Sequence, residues 1–293
     1  MRRGIELGVI LLLVTAGAEA EAGPATAGRH VRASLVAEAD AAQPGRPLLV
    51  GFRLEMEPGW HTYWRNPGDS GLPTKVRWEL PEGFSAGELQ WPRPIRFATG
   101  PLVSYGYERE VLHPVRIRVP SSLQGGEVRL AARLTWLECR DVCLPGKADL
   151  ALTLPVRASA QPGLAAPLFA EAHREMAQRD PGWSITAAAR EGAIHLVVRP
   201  PSATSLTEAY FYPIPRRVLD YSKPQELVPE KAGYRIALVP DPNGASTVER
   251  LSGVLVARTP AGERAIEVDV PVEASADALA VGDSVSSPQQ RKP

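Results

Sequence analysis

The sequence predicts an all-β protein with two β-domains joined by a linker that contains one helix. Three observations support this fold class. Apolar and polar residues alternate with a period of two along most of the chain, which is typical of strands with one buried face. Proline and glycine are abundant, with 29 and 25 residues, as expected of short strands joined by turns. Only residues 164–179 have the apolar spacing and stop signals of a helix.

The overall composition excludes some classes of partner. The 293 residues are 44% apolar and 23% charged, which is ordinary for a globular protein. Because 33 basic residues balance 33 acidic ones, the net charge is zero. Neither a nucleic acid nor an anionic membrane surface is therefore expected as a partner.

Residues 1–22 are predicted to be a signal peptide. A basic pair precedes an apolar run over residues 7–14, and two Ala-x-Ala patterns then end at Ala20 and Ala22. The apolar run is shorter than the ~20 residues that span a bilayer, and no later stretch is predicted to span one. We therefore expect an exported, soluble protein, cleaved near Ala20 or Ala22, in a compartment where disulfides persist.

The first predicted domain covers residues 29–157 and contains about eight short strands. Two stretches rich in aromatic and turn-forming residues, 58–73 and 93–110, are predicted to be loops. Many short strands separated by turn signals indicate an immunoglobulin-like β-sandwich. Strands are predicted over residues 31–40, 47–57, 75–80, 88–92 and 111–119, and in a hairpin within residues 130–156.

The hairpin holds both cysteines of the chain. Apolar residues alternate before Cys139 and again after Cys143, so two antiparallel strands are predicted around a short loop. Pro145 and Gly146 are predicted to help the chain turn. The C-x3-C pair is therefore expected at an exposed tip of a sheet, within disulfide range.

The second half of the chain is predicted to contain a linker, a second β-domain and a C-terminal tail. Residues 158–182 form a linker with the helix, and residues 183–274 form a second, smaller β-domain with renewed alternation. Residues 275–293 are small, polar and charged, and are predicted to be disordered.

The cysteine pair has four chemical interpretations. A structural disulfide is the usual explanation in an exported protein, but so short a loop contributes only ~2 kcal/mol by the chain-entropy relation. A redox-active disulfide is equally compatible with this spacing. Copper(I) or zinc would need further ligands, and Met is scarce, with 3 residues. Cysteine nucleophilic catalysis would need a distant histidine such as His61 or His113, and the second thiol would trap the first.

The neighbours of the cysteines are mixed in charge. Arg140 would favour a thiolate at Cys139, whereas Glu138 and Asp141 would oppose it. Trp136 contributes an apolar setting that keeps the thiols protonated. His61 could tune a thiol or bind a metal, although a structural histidine is the simpler interpretation because no partner ligand is evident.

Three motifs resemble the N-terminal periplasmic domain of the thiol:disulfide interchange protein DsbD and its copper-tolerance relatives of the suppressor-of-copper-sensitivity type. They are residues 58–73 (PGWHTYWRNPGDSGLP), the pair at 105–106 (YG) and residues 136–146 (WLECRDVCLPG). The resemblance covers residues 31–156 well. Beyond the linker it is looser and rests on residues 210–213.

The resemblance implies a protein-disulfide reductase-type module without a cofactor. Its cysteine pair would relay electrons from a membrane-embedded thiol reductase to periplasmic thioredoxin-like proteins. It also associates the chain with cytochrome c biogenesis and copper tolerance. By the same resemblance the pair is Cys139 and Cys143, and the capping or supporting residues are Tyr105, Gly106, Tyr107, Trp136 and His61.

One departure from the family pattern concerns the cap. The aromatic residue that closes the cap in the best-known members corresponds to Ser104, so Tyr105 or Tyr107 would have to shield the pair. The alternative function is a non-enzymatic periplasmic module that binds a protein or copper(I) and contains a structural disulfide.

Overall fold

The computed structural model describes residues 28–202, 204–245 and 247–274. The predicted signal peptide and the predicted disordered tail lie outside the described residues. Within the described part of the chain, no helix is long and apolar enough to cross a membrane.

The first domain is a β-sandwich of two antiparallel sheets, which confirms the immunoglobulin-like fold class. The four-stranded sheet has the order β1-β2-β8-β5, and the six-stranded sheet has the order β10-β9-β3-β7-β6, with β4 paired to β9. Alternate apolar residues such as Val50, Phe52 and Leu134 fill the core between the sheets. The strands are β1 (Val31–Ala37), β2 (Leu48–Met56), β3 (His61–Gly68), β4 (Lys75–Glu79), β5 (Ser85–Ala86), β6 (Ile95–Thr99), β7 (Leu102–Glu108), β8 (Glu110–Arg118), β9 (Gly126–Cys139) and β10 (Cys143–Val156).

The two stretches predicted to be loops contain strands. Residues 58–73 contain β3, and residues 93–110 contain the β6–β7 hairpin, which pairs with β3. Aromatic and threonine side chains favour strands, but here they are followed by the turn-forming run from Asn66 to Gly71, which concealed the pattern. The predicted strand over residues 88–92 is absent, and a two-residue strand, β5, lies just before it.

A single helix, α1 (Ala166–Glu175), lies in the described part of the chain and is shorter than predicted. Its buried residues Phe169 and Ala172 pack beside Leu112 of β8. Leu164 stays exposed, and the chain is already extended at Met176. The helix therefore covers the outer face of the four-stranded sheet.

The second β-domain is one mixed seven-stranded sheet with the order β13-β16-β17-β11-β12-β15-β14. All its pairs are antiparallel except β11 with β17. Leu196, Phe211 and Ile236 are fully buried in its core. Its strands are β11 (Ser184–Arg190), β12 (Ala193–Arg199), β13 (Glu208–Pro213), β14 (Leu227–Glu230), β15 (Gly233–Leu238), β16 (Arg250–Thr259) and β17 (Gly262–Ala274).

The two domains share one continuous apolar core. Trp64 of β3 meets Tyr212 of β13 edge to face, with ring centroids 6.3 Å apart. Tyr105 of β7 meets both Tyr212 and Tyr221 in the same way, at 5.0 and 5.3 Å. The second domain therefore packs against the inner side of β3 and β7. The boundaries at residues 157 and 183 stay predictions.

Candidate functional site

The β9–β10 hairpin brings the two cysteines together. Cys139 is the last residue of β9 and is directly opposite Cys143, the first residue of β10. The two are joined by a disulfide, and their Cα atoms are 4.2 Å apart. The predicted proximity at a hairpin tip is therefore present in the structure.

The turn between the cysteines differs from the prediction. The loop consists of Arg140, Asp141 and Val142 alone, whereas Pro145 and Gly146 lie within β10. Gly146 is directly opposite Trp136, and a Cβ at this glycine would lie 2.2 Å from the indole ring. The glycine is therefore needed to admit the indole, and not to turn the chain. The proline is tolerated because β10 is the edge strand of its sheet.

Strand alternation places the disulfide on the outer face of the six-stranded sheet. Trp136 and Glu138 point into the opposite, inner face and are buried, whereas Arg133 and Thr135 share the outer face with Cys139. Cys139 is only 1% exposed, but Cys143 is exposed to solvent. The two sulfurs are therefore chemically unequal, because an incoming thiol can approach Cys143 more easily.

The strand β3 provides the side chains next to the disulfide. His61 is directly opposite Cys139, and Tyr63, two residues later on the same face, places its hydroxyl 3.7 Å from the Cys143 Sγ. The His61 Nε2 lies 3.4 Å from the same hydroxyl. A tyrosine hydroxyl at this position can donate a hydrogen bond to a cysteine sulfur.

Burial keeps both β3 side chains neutral. It lowers the pKa of His61, so the imidazole is uncharged at neutral pH. Burial also raises the pKa of Tyr63, and a hydrogen bond with Ser70 opposes that shift in part. The Tyr63 hydroxyl therefore keeps its proton at neutral pH.

The β6–β7 hairpin completes the surroundings of the disulfide on the outer face. The Phe97 ring stacks on the His61 ring, with centroids 4.6 Å apart. Phe97 is directly opposite Ser104, whose hydroxyl lies 3.2 Å from that of Ser70. We call His61, Tyr63 and Phe97 the aromatic cover of the disulfide.

The aromatic cover differs from the predicted cap. Tyr105 and Tyr107 alternate with Ser104 and Gly106 along β7, so both tyrosine rings lie on the inner face, away from the disulfide. The Tyr105 hydroxyl lies 3.1 Å from that of Tyr210, and the Tyr107 hydroxyl donates to the Pro92 carbonyl at 2.8 Å. Phe97, on the neighbouring strand, lies directly opposite Ser104, the position where the best-known family members have an aromatic residue.

Gly106 has a steric role between two strands. It is directly opposite Tyr63, and a Cβ at this position would lie 1.9 Å from the Thr62 carbonyl oxygen. Only a glycine therefore lets β7 approach β3 this closely. The predicted supporting residue Trp136 acts from the inner face, where its Nε1 donates to Glu138 at 3.0 Å.

The charges beside the cysteines are separated by the fold. The buried Glu138 carboxylate accepts hydrogen bonds from the backbone N–H groups of Arg29 and His30, at 2.8 and 3.1 Å, and so faces away from the disulfide. Arg140 bonds Asp141 at 3.0 Å, and its guanidinium lies 5.5 Å from the centroid of the Trp60 ring. Arg140 is therefore the positive group on the cysteine loop, and it forms an ion pair with its neighbour Asp141.

His113 lies away from the cysteines. It belongs to β8 in the other sheet, is fully buried, and its Nδ1 lies 3.1 Å from the Gln90 carbonyl oxygen. Burial lowers its pKa to about 4, so it is neutral and enclosed. Among the described residues no three His, Cys, Asp or Glu side chains come together as a metal site.

Sequence reasoning missed Tyr63, Ser70 and Phe97. Tyr63 could have been found from its spacing, because a residue two positions after His61 shares its face once residues 61–68 are taken as a strand. Phe97 depends on the register between β6 and β7, which local alternation does not reveal.

Comparisons with known proteins identify one family and several solved structures that resemble this chain. Residues 32–155 match the family model described as thiol:disulfide interchange protein DsbD, N-terminal. The N-terminal periplasmic domain of ScsB from Proteus mirabilis has a similar structure, with a TM-score of 0.61 and 17% identity over 83% of this chain and 94% of that one. A protein of unknown function from Porphyromonas gingivalis W83 aligns with a TM-score of 0.25 and 12% identity, over 81% of this chain and 96% of that one. No curated protein sequence matches the chain significantly.

Proposed function

From the premise that residues 32–155 form a domain of the DsbD N-terminal type, we propose that this domain exchanges disulfides with other proteins through Cys139 and Cys143. One observation carries the proposal: an exposed Cys143 is bridged to a buried Cys139 beneath the aromatic cover. An exchange module needs one sulfur that a partner can reach and a second that resolves the covalent intermediate. The unequal exposure of the two cysteines fits this division.

The exchange has two steps. In the reduced protein the Cys143 thiolate attacks a disulfide sulfur of the oxidised partner, whose S–S bond breaks and whose leaving thiolate takes a proton from water. The Cys139 thiolate then attacks the Cys143 Sγ, which forms the intramolecular disulfide and releases the second partner thiol. The partner is reduced by two electrons, and the cysteine pair is oxidised by two.

The residues around the pair support these steps. The protonated Tyr63 hydroxyl can donate to the Cys143 sulfur while that sulfur is a thiolate. Arg140 places a positive charge on the same loop. His61 and Phe97 limit the directions from which solvent and small oxidants reach the pair.

Exposed apolar side chains on the outer face of the six-stranded sheet suit a protein partner. Val142 lies in the cysteine loop and is 61% exposed. Ile95 of β6 and Leu102 of β7 are also exposed on the outer face of the sheet, and Leu72 is exposed after the end of β3. Such side chains supply the apolar centre of a transient interface.

The family also indicates where the exchange takes place and with what. We place the protein in the periplasm, where a membrane-embedded thiol reductase would reduce Cys139–Cys143 and thioredoxin-like proteins would accept the electrons. The activity is then that of a protein-disulfide reductase. Links to copper tolerance and cytochrome c biogenesis stay predictions from the resemblance.

Trapping the covalent intermediate tests the proposal. Cys139→Ser and Cys143→Ser variants would be expressed in the exporting cell, quenched with acid and separated without reductant. Cys139→Ser should accumulate an adduct that disappears on reduction, because Cys143 can attack but nothing resolves it. Cys143→Ser should show little adduct, because the remaining sulfur is buried. Absence of an adduct in both variants would refute the exchange function.

The alternative is a binding module with a structural disulfide, and it makes a different prediction for the reduction potential. Structural disulfides have potentials below about −300 mV, whereas exchange-active ones are higher. Equilibration of the purified protein with glutathione buffers separates the two.

A further inference from the structure

We propose that the second domain positions the aromatic cover beside the Cys139–Cys143 disulfide, with Tyr210 of β13 as the positioning residue. The proposal assigns a role to the second domain and rests on the proposed exchange function of the first. Tyr210 contacts the β6–β7 hairpin from the inner face of the sheet, and the aromatic cover lies on the outer face.

Tyr210 holds both strands of the hairpin. Its hydroxyl lies 3.1 Å from that of Tyr105 in β7, and the guanidinium of Arg96 in β6 lies 6.0 Å from its ring centroid. Arg96 and Tyr105 are directly opposite each other in the sheet. The next residue of β6 is Phe97, which stacks on His61 on the outer face. A displacement of this point in the hairpin therefore moves the Phe97 ring and, with it, the His61 ring that lies opposite Cys139.

Strand β13, which carries Tyr210, also contacts β3 of the first domain. The buried Asn66 side chain donates through Nδ2 to the Pro213 carbonyl at 2.7 Å and to the Tyr221 hydroxyl at 3.2 Å. Asn66 is three residues after Tyr63, whose hydroxyl contacts the Cys143 sulfur. Both strands that carry the aromatic cover are thus fixed by β13 and the chain that follows it.

The bond between the two tyrosines is suited to a permanent role. Tyr105 is fully buried, and burial raises its pKa far above the ordinary tyrosine value. Burial raises the pKa of Tyr210 as well. Both hydroxyls stay protonated at any physiological pH, so the bond persists. Loss of one partner would leave a buried hydroxyl without its acceptor or donor, which is costly.

Reduction of the disulfide by dithiothreitol measures the cover without any protein partner. A dithiothreitol thiolate attacks the Cys143 Sγ, the S–S bond breaks, and Cys139 leaves as a thiolate that takes a proton from water. The second dithiothreitol thiol then releases Cys143 and forms the cyclic disulfide. The rate of the first step reports how readily a small thiol reaches the Cys143 sulfur, which the Tyr63 hydroxyl contacts at 3.7 Å.

The full mature chain would be compared in four forms: wild type, Tyr210→Phe, Tyr234→Phe and the double variant Tyr105→Phe/Tyr210→Phe. Tyr234 is the matched control, because its hydroxyl accepts a hydrogen bond from the Leu206 N–H within the second domain. Tyr210→Phe should accelerate reduction about fivefold, whereas Tyr234→Phe should change the rate less than twofold at a similar loss of Tm. The double variant should be no faster than Tyr210→Phe, because both substitutions remove the same bond.

Equal rates for Tyr210→Phe and Tyr234→Phe would overturn the proposal, because a general loss of stability would then explain both. This outcome is separate from failure of the exchange function. A fivefold acceleration without any trapped adduct in the cell would keep the positioning role and refute partner exchange. A trapped adduct together with an unchanged reduction rate in Tyr210→Phe would support partner exchange and refute the positioning role of Tyr210.

Discussion

Removal of the Phe97 ring should make the cysteines more reactive. Phe97→Ala deletes the ring that stacks on His61 at 4.6 Å between centroids, and leaves the cysteines, Tyr63 and Ser104 in place. An aromatic pair contributes about 0.5–1.5 kcal/mol beyond its buried area. With ~1 kcal/mol lost from the closed arrangement, the accessible fraction of the buried Cys139 rises about fivefold.

The assay is alkylation of the reduced protein by iodoacetamide at fixed pH, with the product followed by mass. Phe84→Ala is the matched control, because Phe84 is also half-buried but packs near Val128 at the start of β9. That position is roughly 37 Å along the strand from Cys139, at about 3.4 Å per residue. Both variants should lose similar stability, and only Phe97→Ala should be alkylated faster. Equal alkylation rates in wild type and Phe97→Ala would refute the shielding role of the aromatic cover.

Two further predictions concern stability. Gly146→Ala would place a methyl group 2.2 Å from the Trp136 indole, and this change should lower the free energy of unfolding in urea by about 1–3 kcal/mol. Gly125→Ala is the control, because its Cβ would meet nothing within 4 Å, and it should change the stability by less than ~0.5 kcal/mol. Equal effects of the two substitutions would contradict the steric role of Gly146. His113 has a folded-state pKa of about 4, below the ~6.5 of the unfolded chain, so its contribution is present above pH 6.5 and is lost as the pH falls toward 4, by roughly 3 kcal/mol in all. Unfolding free energies measured across this range should show that loss, and His113→Asn should remove most of it; a persistent slope in the variant would assign the loss to other groups.

The sequence was sufficient where the physical signal is local. The alternation around Cys139 and Cys143 depends only on which residues face the core, so the hairpin and the bridging distance of the pair could be predicted. The same reasoning predicted an all-β fold and a sandwich in the first domain, both confirmed. The resemblance to the DsbD N-terminal domain rested on three motifs and was confirmed over residues 32–155.

Local reasoning was insufficient where residues distant in sequence pair. Pro145 and Gly146 have turn chemistry, but their place in β10 follows from the Trp136 ring on the opposite strand. The two stretches predicted to be loops contain strands because β3 and β7 satisfy each other's backbone groups across about 40 residues of chain. No property of either segment alone shows that pairing.

The sequence by itself determined which residues would carry the proposed chemistry, a C-x3-C pair on a strand hairpin in a chain with a predicted export signal. Only the tertiary structure decided how the pair is presented. The register places Cys139 opposite His61 and brings the Tyr63 hydroxyl to Cys143, and the alternation of β7 turns Tyr105 and Tyr107 inward while Phe97 lies outward. The face that a side chain occupies depends on strand register, and register is fixed by packing across the whole sheet and against the second domain.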